Sequence, residues 1–310
     1  MKILVYGTGA IGSLMIHYLC KAGNDVTVVA RKNYEPLRQN GLTIRHYFQR
    51  KTTTDHPNVV RQAAEGENFD IVFSVMQSQQ QKALLDTFAN IDTKLIVLVG
   101  NNLEADYCLE RLNGKNVLFA FQNSAGRREG ATAIVGRMPV TELVVGGLHG
   151  AASEENLQLA RNALSVKGYK ITAIDDMYAY YLCHVAEVMP YAYLCYKTNC
   201  NIKQLKRGDI KTIMKASSEC FDYIKSIGIN VRPKNEDKFY SGGLKTTAMF
   251  LLYRLMSKTV LGKLMIQDHC ENGIEEMRYI DQMFEKYRQE HMGTSMPVWD
   301  EIRGYLTIDN

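Results

Sequence analysis

No apolar run in the sequence comes near the roughly 20 residues that a membrane-spanning helix requires, and a first β-type run that already begins at Ile3 leaves no room for a secretory leader. No two cysteines have the Cys-x-x-Cys spacing. The seven present, at positions 20, 108, 183, 195, 200, 220 and 270, leave one unpaired in any complete disulfide scheme, so most read as small buried hydrophobes of a reducing compartment. Charge of one sign is scarce as well: the net charge is only +4 and the basic residues are scattered. That argues against a polyanion-binding surface, while a modest positive field suits a phosphorylated cofactor or a carboxylate substrate. No Gly-x-Ser-x-Gly element is present, and His269-Cys270-Glu271 has no second ligand pair at a suitable spacing, so no metal is expected. What is left is a cytoplasmic protein of ordinary composition, 46% hydrophobic and 23% charged, whose 310 residues suggest about two domains. Its expected partner is a small-molecule substrate, not nucleic acid or membrane, with a homodimer left open.

Against these absences stands one dense feature. Ile3-Leu4-Val5-Tyr6 is a short β-branched and aromatic run, Gly7-Thr8-Gly9-Ala10-Ile11-Gly12 follows it directly, and the pattern then turns helical through Leu14, Ile16, Leu19 and Cys20, ending at Gly23. A second run, Val26 to Ala30, stops at Arg31-Lys32. A lone Gly-x-Gly-x-x-Gly is weak, since three glycines in any loop will match it. Set between a strand and a helix, with a second strand at the expected distance, it points to a dinucleotide-binding βαβ unit. In such a unit Gly7 makes the sharp turn, Gly9 lets the pyrophosphate approach bare backbone, and Gly12 packs helix tightly on strand, with the phosphates at the positive helix N-terminus. Gly7, Thr8, Gly9, Ala10, Ile11 and Gly12 are thus candidate cofactor contacts. An NAD-preferring site places Asp or Glu about 20 residues beyond the glycines, whereas an Arg there accommodates the 2′-phosphate of NADP. Arg31 and Lys32 hold that place and Asp25 comes too early, so NADP(H) is the expected cofactor; a solvated strand-end charge pair is the competing reading of the two cations.

The remainder alternates strand and helix up to about residue 175. Glu35 to Asn40 is a short helical piece closed by Gly41, Lys51 to His56 is a polar hairpin edge or loop, and Phe69 to Val75 and Lys94 to Val99 are buried strands. Further strands are expected at Asn116 to Phe121, Ala131 to Val135, Glu142 to Val145 and Tyr169 to Ala173. This order predicts an α/β domain with a Rossmann-type doubly wound parallel sheet and helices on both faces. Ligands in such sheets bind outside the carboxyl ends of the strands, which makes Met76 to Gln79 and Gly100 to Asn102 candidate site loops. From Asp176 the β runs disappear and helical periodicity takes over, giving a dinucleotide-binding domain over 1–175 and an all-α substrate or interaction domain over 176–310.

Taken together, the N-terminal element, Arg31, Gly41-Leu42-Thr43-Ile44, the Asn101 loop, Pro190 inside a long helix, and Met265-Ile266-Gln267-Asp268 followed by Glu276 and Tyr279-Ile280 resemble the ketopantoate reductase family. The resemblance implies an NADPH-binding α/β domain joined to a helical domain, and hydride transfer to the ketone of a 2-oxo acid. It also implies a cofactor or substrate amide at Asn101, a matching Gln79, and a carboxylate at Glu276 that grips a substrate hydroxyl. The departures are informative. The family's catalytic lysine falls on Tyr181, its two substrate asparagines on Val185 and Met189, a further lysine on Met76, and a substrate serine on Leu264. That argues against ketopantoate itself as the substrate.

Hydride reduction of a carbonyl still needs a group to protonate or polarise the developing alkoxide. Tyr181 and His184 lie three apart on the expected helix and share a face, with Tyr181 the candidate proton donor and His184 assisting; a packed core Tyr and a hydrogen-bonded core His are the alternative. Glu187 falls on another face and reads as a solvated charge, and Glu276 reads either as a site carboxylate or as part of a solvated acidic face. Two functions therefore stay open: an NADPH-dependent reductase of a less polar carbonyl or imine, or a catalytically silent relative that binds NADP(H) and senses or interacts through its helical half.

Overall fold

The computed structural model describes residues 1–64 and 66–307. The chain divides into a first unit, Met1–Met177, and a second that begins at Tyr178. In the first unit the strands are β1 (Lys2–Tyr6), β2 (Asp25–Val29), β3 (Leu42–His46), β4 (Lys51–Asp55), β5 (Asn58–Val60), β6 (Asn68–Val75), β7 (Asp92–Val99), β8 (Val117–Gln122), β9 (Ala125–Glu129), β10 (Thr132–Gly136), β11 (Thr141–Gly146) and β12 (Tyr169–Ile174). Its helices are α1 (Ala10–Lys21), α2 (Tyr34–Asn40), α3 (Ser78–Lys82), α4 (Leu85–Asn90), α5 (Ala105–Arg111) and α6 (Glu154–Ala163).

Eight strands form one sheet in the order β12-β11-β8-β7-β6-β1-β2-β5. From β5 to β8 all neighbours run parallel, and β11 turns antiparallel to β8. The central strands are apolar without alternation because both faces are covered: Ile71, Val72, Phe73, Leu95, Ile96 and Val97 are all fully buried. The chain winds from β1 outward to β2 and β5, then returns to the other side of β1 as β6. The winding direction therefore reverses between β1 and β6, the place where open α/β sheets bind their ligands.

A second sheet, β4-β3-β10-β9, departs from the expected single layer. Its β3–β4 hairpin is antiparallel, β10 lies parallel to β3, and β9 returns antiparallel through the two-residue turn at Gly130–Ala131. The sequence pattern misses β9 because Ala125-Gly126-Arg127-Arg128-Glu129 has no apolar run, and it misses the sheet because pairing between residues 42–55 and 125–136 is non-local. Helix α1 packs on β1 and β2 and also on β3, β9 and β10. Residues 12 to 19 are consequently all buried, Ser13 and His17 included, as expected of a helix covered on every side. The polar side chains there are paired: His17 Nδ1 lies 2.8 Å from Asp55 Oδ2. Beside it, Arg137 Nε donates to His46 Nδ1 at 3.2 Å, leaving His46 Nε2 to bond Thr53 Oγ1 at 2.9 Å. Burial first, and the Arg137 cation second, push His46 down to about 3, so its ring is neutral.

The second unit is helical: α7 (Met177–Lys197), α8 (Arg207–Ser226), α9 (Gly243–Met256), α10 (Val260–Gly262), α11 (Asp268–Asn272), α12 (Ile274–Glu290) and α13 (Pro297–Thr307). A π-helical turn, Lys263–Gln267, joins α10 to α11. Helix α13 was not expected from periodicity, yet Pro297 stands at its first position, where the missing N–H costs nothing. The Glu219 carboxylate of α8 accepts the next two N–H groups, from Val298 at 2.8 Å and Trp299 at 3.2 Å. Trp299, the chain's one tryptophan, is fully buried against Tyr193 and Phe284. Below it, Asp281 accepts two bonds of 2.8 Å from the Arg303 guanidinium and one of 2.6 Å from the Tyr193 hydroxyl. Among the described residues no helix is long and apolar enough to cross a membrane.

Because Asp281 is only 4% exposed, its removal strands a buried hydroxyl and a guanidinium. Asp281→Ala is expected to destabilise the second unit by about 3 kcal/mol, read as a lowered urea midpoint of Trp299 fluorescence. An unchanged midpoint would show that the network adds nothing to stability.

Candidate functional site

The glycine element sits where β1 runs into α1, and each of its three glycines answers to a different constraint. Gly7 has φ +107°, and a Cβ there would lie 2.1 Å from the Val75 carbonyl oxygen. At Gly12 a Cβ would lie 2.1 Å from the Gly7 carbonyl oxygen. Neither position has room for a side chain. Gly9 is different: it is exposed, its backbone is extended at φ −64° and ψ −176°, and no described atom lies within 4 Å of where its Cβ would stand. Structure does not require a glycine at position 9, whereas close approach of a ligand to its backbone does. The helix start adds to this. No side chain caps α1 and no acidic residue occupies its first turn, so N–H groups without intrahelical acceptors meet the positive end of the helix dipole, an anion-binding arrangement.

Three other loops lie at the carboxyl ends of the parallel strands β2, β6 and β7. Arg31 and Lys32 are both exposed in the bend after β2. Met76 follows β6, with its Cγ 3.0 Å and its carbonyl oxygen 3.0 Å from the would-be Cβ positions of Gly7 and Gly100 respectively, so it stands between the glycine turn and the loop after β7. Gln81 of α3 donates to the carbonyls of Ser74 and Val99, 3.1 Å each, and fixes the ends of β6 and β7 to each other. Three buried polar atoms here, Ser74 Oγ, Gln79 Oε1 and Asn101 Oδ1, find no hydrogen-bond partner among the described residues. Buried polar atoms are normally satisfied. Their gathering at the carboxyl edge, beside the open Gly9 and the uncapped helix, is what a bound dinucleotide with hydrogen-bonding groups would fit.

Two supports of this loop were missed in the sequence. Arg128 of β9 donates to the Thr8 carbonyl and, at 3.3 Å, to Ser13 Oγ. Gln122, at the end of β8, donates to the Ile11 carbonyl at 3.1 Å and accepts from the Tyr169 hydroxyl at 2.7 Å. An Arg pair in a polar stretch and a Gln at a strand end carry no pattern that would single them out.

In the second unit, α7 carries Tyr181 and His184. Tyr181 is 1% exposed, and the His184 ring stacks on Tyr180 with centroids 6.0 Å apart. Burial pushes His184 down to about 4, so it is neutral at physiological pH. Glu187 is not the solvated charge expected of it. It is half-buried, with Oε2 3.8 Å from His184 Nδ1 and its carboxyl hydrogen-bonded to that of Glu236. Glu236 belongs to the turn Glu236–Phe239, a distant segment that covers the helix face left open by local periodicity. Burial pushes both carboxyls up to about 7, with the neighbouring carboxylate adding to the rise at Glu236. Glu276 is half-buried in the first turn of α12, where the helix dipole favours a carboxylate, while its neighbour Glu275 is exposed and pairs with Arg278 at 3.2 Å. Val185, Met189 and Leu264 are all buried.

A family model described as ketopantoate reductase PanE/ApbA matches residues 3–166. Solved structures of the same fold include 2-dehydropantoate 2-reductase from Geobacter metallireducens GS-15, 17% identical with a TM-score of 0.76, covering 99% of each chain. The corresponding protein from Methylococcus capsulatus is 20% identical, with a TM-score of 0.71 over 99% of this chain and 96% of that one. A ternary structure of D-mandelate dehydrogenase with NADH and anilino(oxo)acetate is 14% identical, with a TM-score of 0.72 over 99% and 97%.

The glycines separate binding from folding. Gly9→Ala is expected to leave thermal stability unchanged while weakening dinucleotide binding by about tenfold or more, whereas Gly12→Ala lowers the melting temperature itself. Equal melting temperatures for the two variants would refute this division. The acid pair has a pH signature. A carboxyl raised from 4.5 to about 7 on folding contributes stability that is present below the lower value and lost as pH rises through the higher. His184 acts oppositely, its cost being relieved between about 4 and 6.5. Two raised carboxyls outweigh the one lowered histidine, so stability reported by Trp299 should fall from about pH 4.5 to about pH 7, most steeply above about 6.5 where the histidine no longer offsets it, and Glu236→Gln should flatten that slope. An identical slope in the variant would remove the pair as its cause.

Proposed function

The chain belongs to the ketopantoate reductase family, and on that premise we propose that it is an NADP(H)-dependent oxidoreductase that reduces a carbonyl or imine group of a small molecule other than ketopantoate. The observation that carries the reading is the contrast within one turn: two glycines without room for a Cβ hold a third, Gly9, open over an uncapped helix start. A nicotinamide cofactor is supported further by the D-mandelate dehydrogenase of the same fold, whose structure is described with NADH. Arg31, exposed at the end of β2, favours the 2′-phosphorylated form.

Bound NADPH supplies the hydride. The protein's own groups bind, orient and protonate. Backbone N–H groups of Gly9 and the first turn of α1 hold the pyrophosphate, and Arg31 with Lys32 holds the 2′-phosphate. Asn101 Oδ1 and Gln79 Oε1 accept hydrogen bonds from cofactor or substrate N–H and O–H groups, which gives these buried oxygens the partners they otherwise lack. Tyr181 holds the proton for the developing alkoxide. His184, kept neutral by burial, assists through a hydrogen bond without adding charge, and Glu276 accepts a hydroxyl of the substrate. The apolar Val185, Met189 and Leu264 offer no donors to a 2-oxo acid carboxylate, which directs the preference toward a less polar substrate.

The test is a titration with NADPH and NADH followed by nucleotide fluorescence, then a screen of aldehydes, ketones, imines and 2-oxo acids for NADPH consumption. NADPH should bind more tightly than NADH, and Arg31→Ala should lose about tenfold or more in NADPH affinity with little change for NADH. Tyr181→Phe should retain binding and lose turnover. Equal losses for both nucleotides in Arg31→Ala would sink the 2′-phosphate assignment, and binding without turnover on any substrate would favour the silent relative.

A further inference from the structure

Helix α7 ends in a turn whose backbone geometry forces two side chains together. The Cys200 N–H bonds the Cys195 carbonyl at 2.9 Å, the Asn199 N–H bonds the Tyr196 carbonyl at 2.9 Å, and Asn199 has φ +48°. This pair of bonds defines a Schellman turn, in which the residue three before the cap and the second residue after it come into side-chain contact. Apolar residues usually fill those two places; here both are cysteines. The Cys195 thiol is hydrogen-bonded to the Cys200 thiol on one side and to the Cys270 thiol of α11 on the other. Cys195 is fully buried, but Cys200 is half-exposed and lines, with Cys270, Glu271, Asn199, Tyr196 and Ile274, a cavity of about 460 Å³. All seven cysteines of the protein are free thiols in the structure.

We propose that this turn is a site of reversible disulfide formation, in which Cys200 is the entering thiol, Cys195 the resolving thiol, and a low-molecular-weight disulfide the oxidant. The Cys200 thiol releases its proton, and the thiolate attacks one sulfur of the small disulfide, forming a mixed disulfide and expelling the first small thiolate. Cys195 Sγ then loses its proton, attacks Cys200 Sγ and expels the second. Two protein thiols are oxidised by two electrons, the small disulfide is reduced to two thiols, and the two released protons are taken up by them. Contact with the Cys195 thiol and burial both hold the Cys200 thiol well above the ordinary range. Its thiolate is therefore scarce at neutral pH, and exchange accelerates about tenfold per pH unit. Cys270 touches the same sulfur from a different helix and is not consumed.

The experiment treats the full-length reduced protein with oxidised glutathione at several pH values and follows intact mass and tryptic peptides. Lys197 lies between the two cysteines, so trypsin yields a pair of peptides joined only if Cys195 and Cys200 are bonded. Wild type should lose two hydrogen masses and give that linked pair, and reduction should restore the starting mass. Cys195→Ser should stop at one glutathione on Cys200, and Cys270→Ser should still form the linked pair. A wild-type link through Cys270, glutathione retained on Cys200 with Cys195 free, or no change in mass would each overturn the proposal.

Discussion

The backbone of Gly12 rests so closely on the carbonyl of Gly7 that a methyl group between them would be 2.1 Å from the oxygen. That approach fixes the angle at which α1 leaves β1, and with it the direction of the first-turn N–H groups. It is reinforced from every side, since the large sheet lies under one face of α1, the small sheet covers another, and Arg128 and Gln122 hold the Thr8 and Ile11 carbonyls. A helix so enclosed cannot tilt without breaking several packed surfaces at once. The Gly7–Gly12 turn is the fixed point from which the loops after β2, β6 and β7 take their positions.

How polar groups are treated differs sharply across the first unit. Under the small sheet, His17, Asp55, His46, Thr53 and Arg137 form a connected set with partners for each ring nitrogen involved in it. At the carboxyl edge of the large sheet, Ser74, Gln79 and Asn101 each keep a buried oxygen without one among the described residues. Desolvating a polar atom without a hydrogen bond is costly, and a chain able to satisfy one network is not short of means to satisfy another. On the proposed function, a bound nucleotide or substrate would supply the missing bonds. In the second unit the same economy takes another form, because the Glu187 and Glu236 carboxyls are hydrogen-bonded to each other and held partly protonated by burial.

What could be read from the sequence follows the range over which each signal acts. The strand–turn–helix at Gly7 to Gly12, the bend holding Arg31 and the segments that follow β6 and β7 were legible as elements because strand, turn and helix announce themselves within a few residues. The second sheet was not, because β3 finds β10 only after about eighty-five intervening residues, at a distance no periodicity reports. Arg128 and Gln122 act through backbone carbonyls of that remote turn, and their local bonds, to the Ala131 carbonyl and Ser124 Oγ, give no sign of it. Glu187 was misread for a related reason: helical spacing assigned it to an open face, and Glu236 closes that face from elsewhere in the chain. Family likeness assigned Tyr181, Val185 and Met189 on α7 and Leu264 on the π-helical turn by register alone, and all four side chains are buried.

A turn braced by both sheets has a consequence for time as well as for affinity. Loops that order around a phosphate surrender conformational entropy on binding and commonly add a slow step after encounter. The Gly7–Gly12 turn has surrendered that freedom already, during folding, through Val75, Arg128 and Gln122. On the proposed function, nucleotide capture at this end of the molecule would accordingly be a one-step event whose speed is set by diffusion and charge. On the same reading, differences in affinity between nucleotides would reside in the departure rate, set by the exposed cations that follow β2.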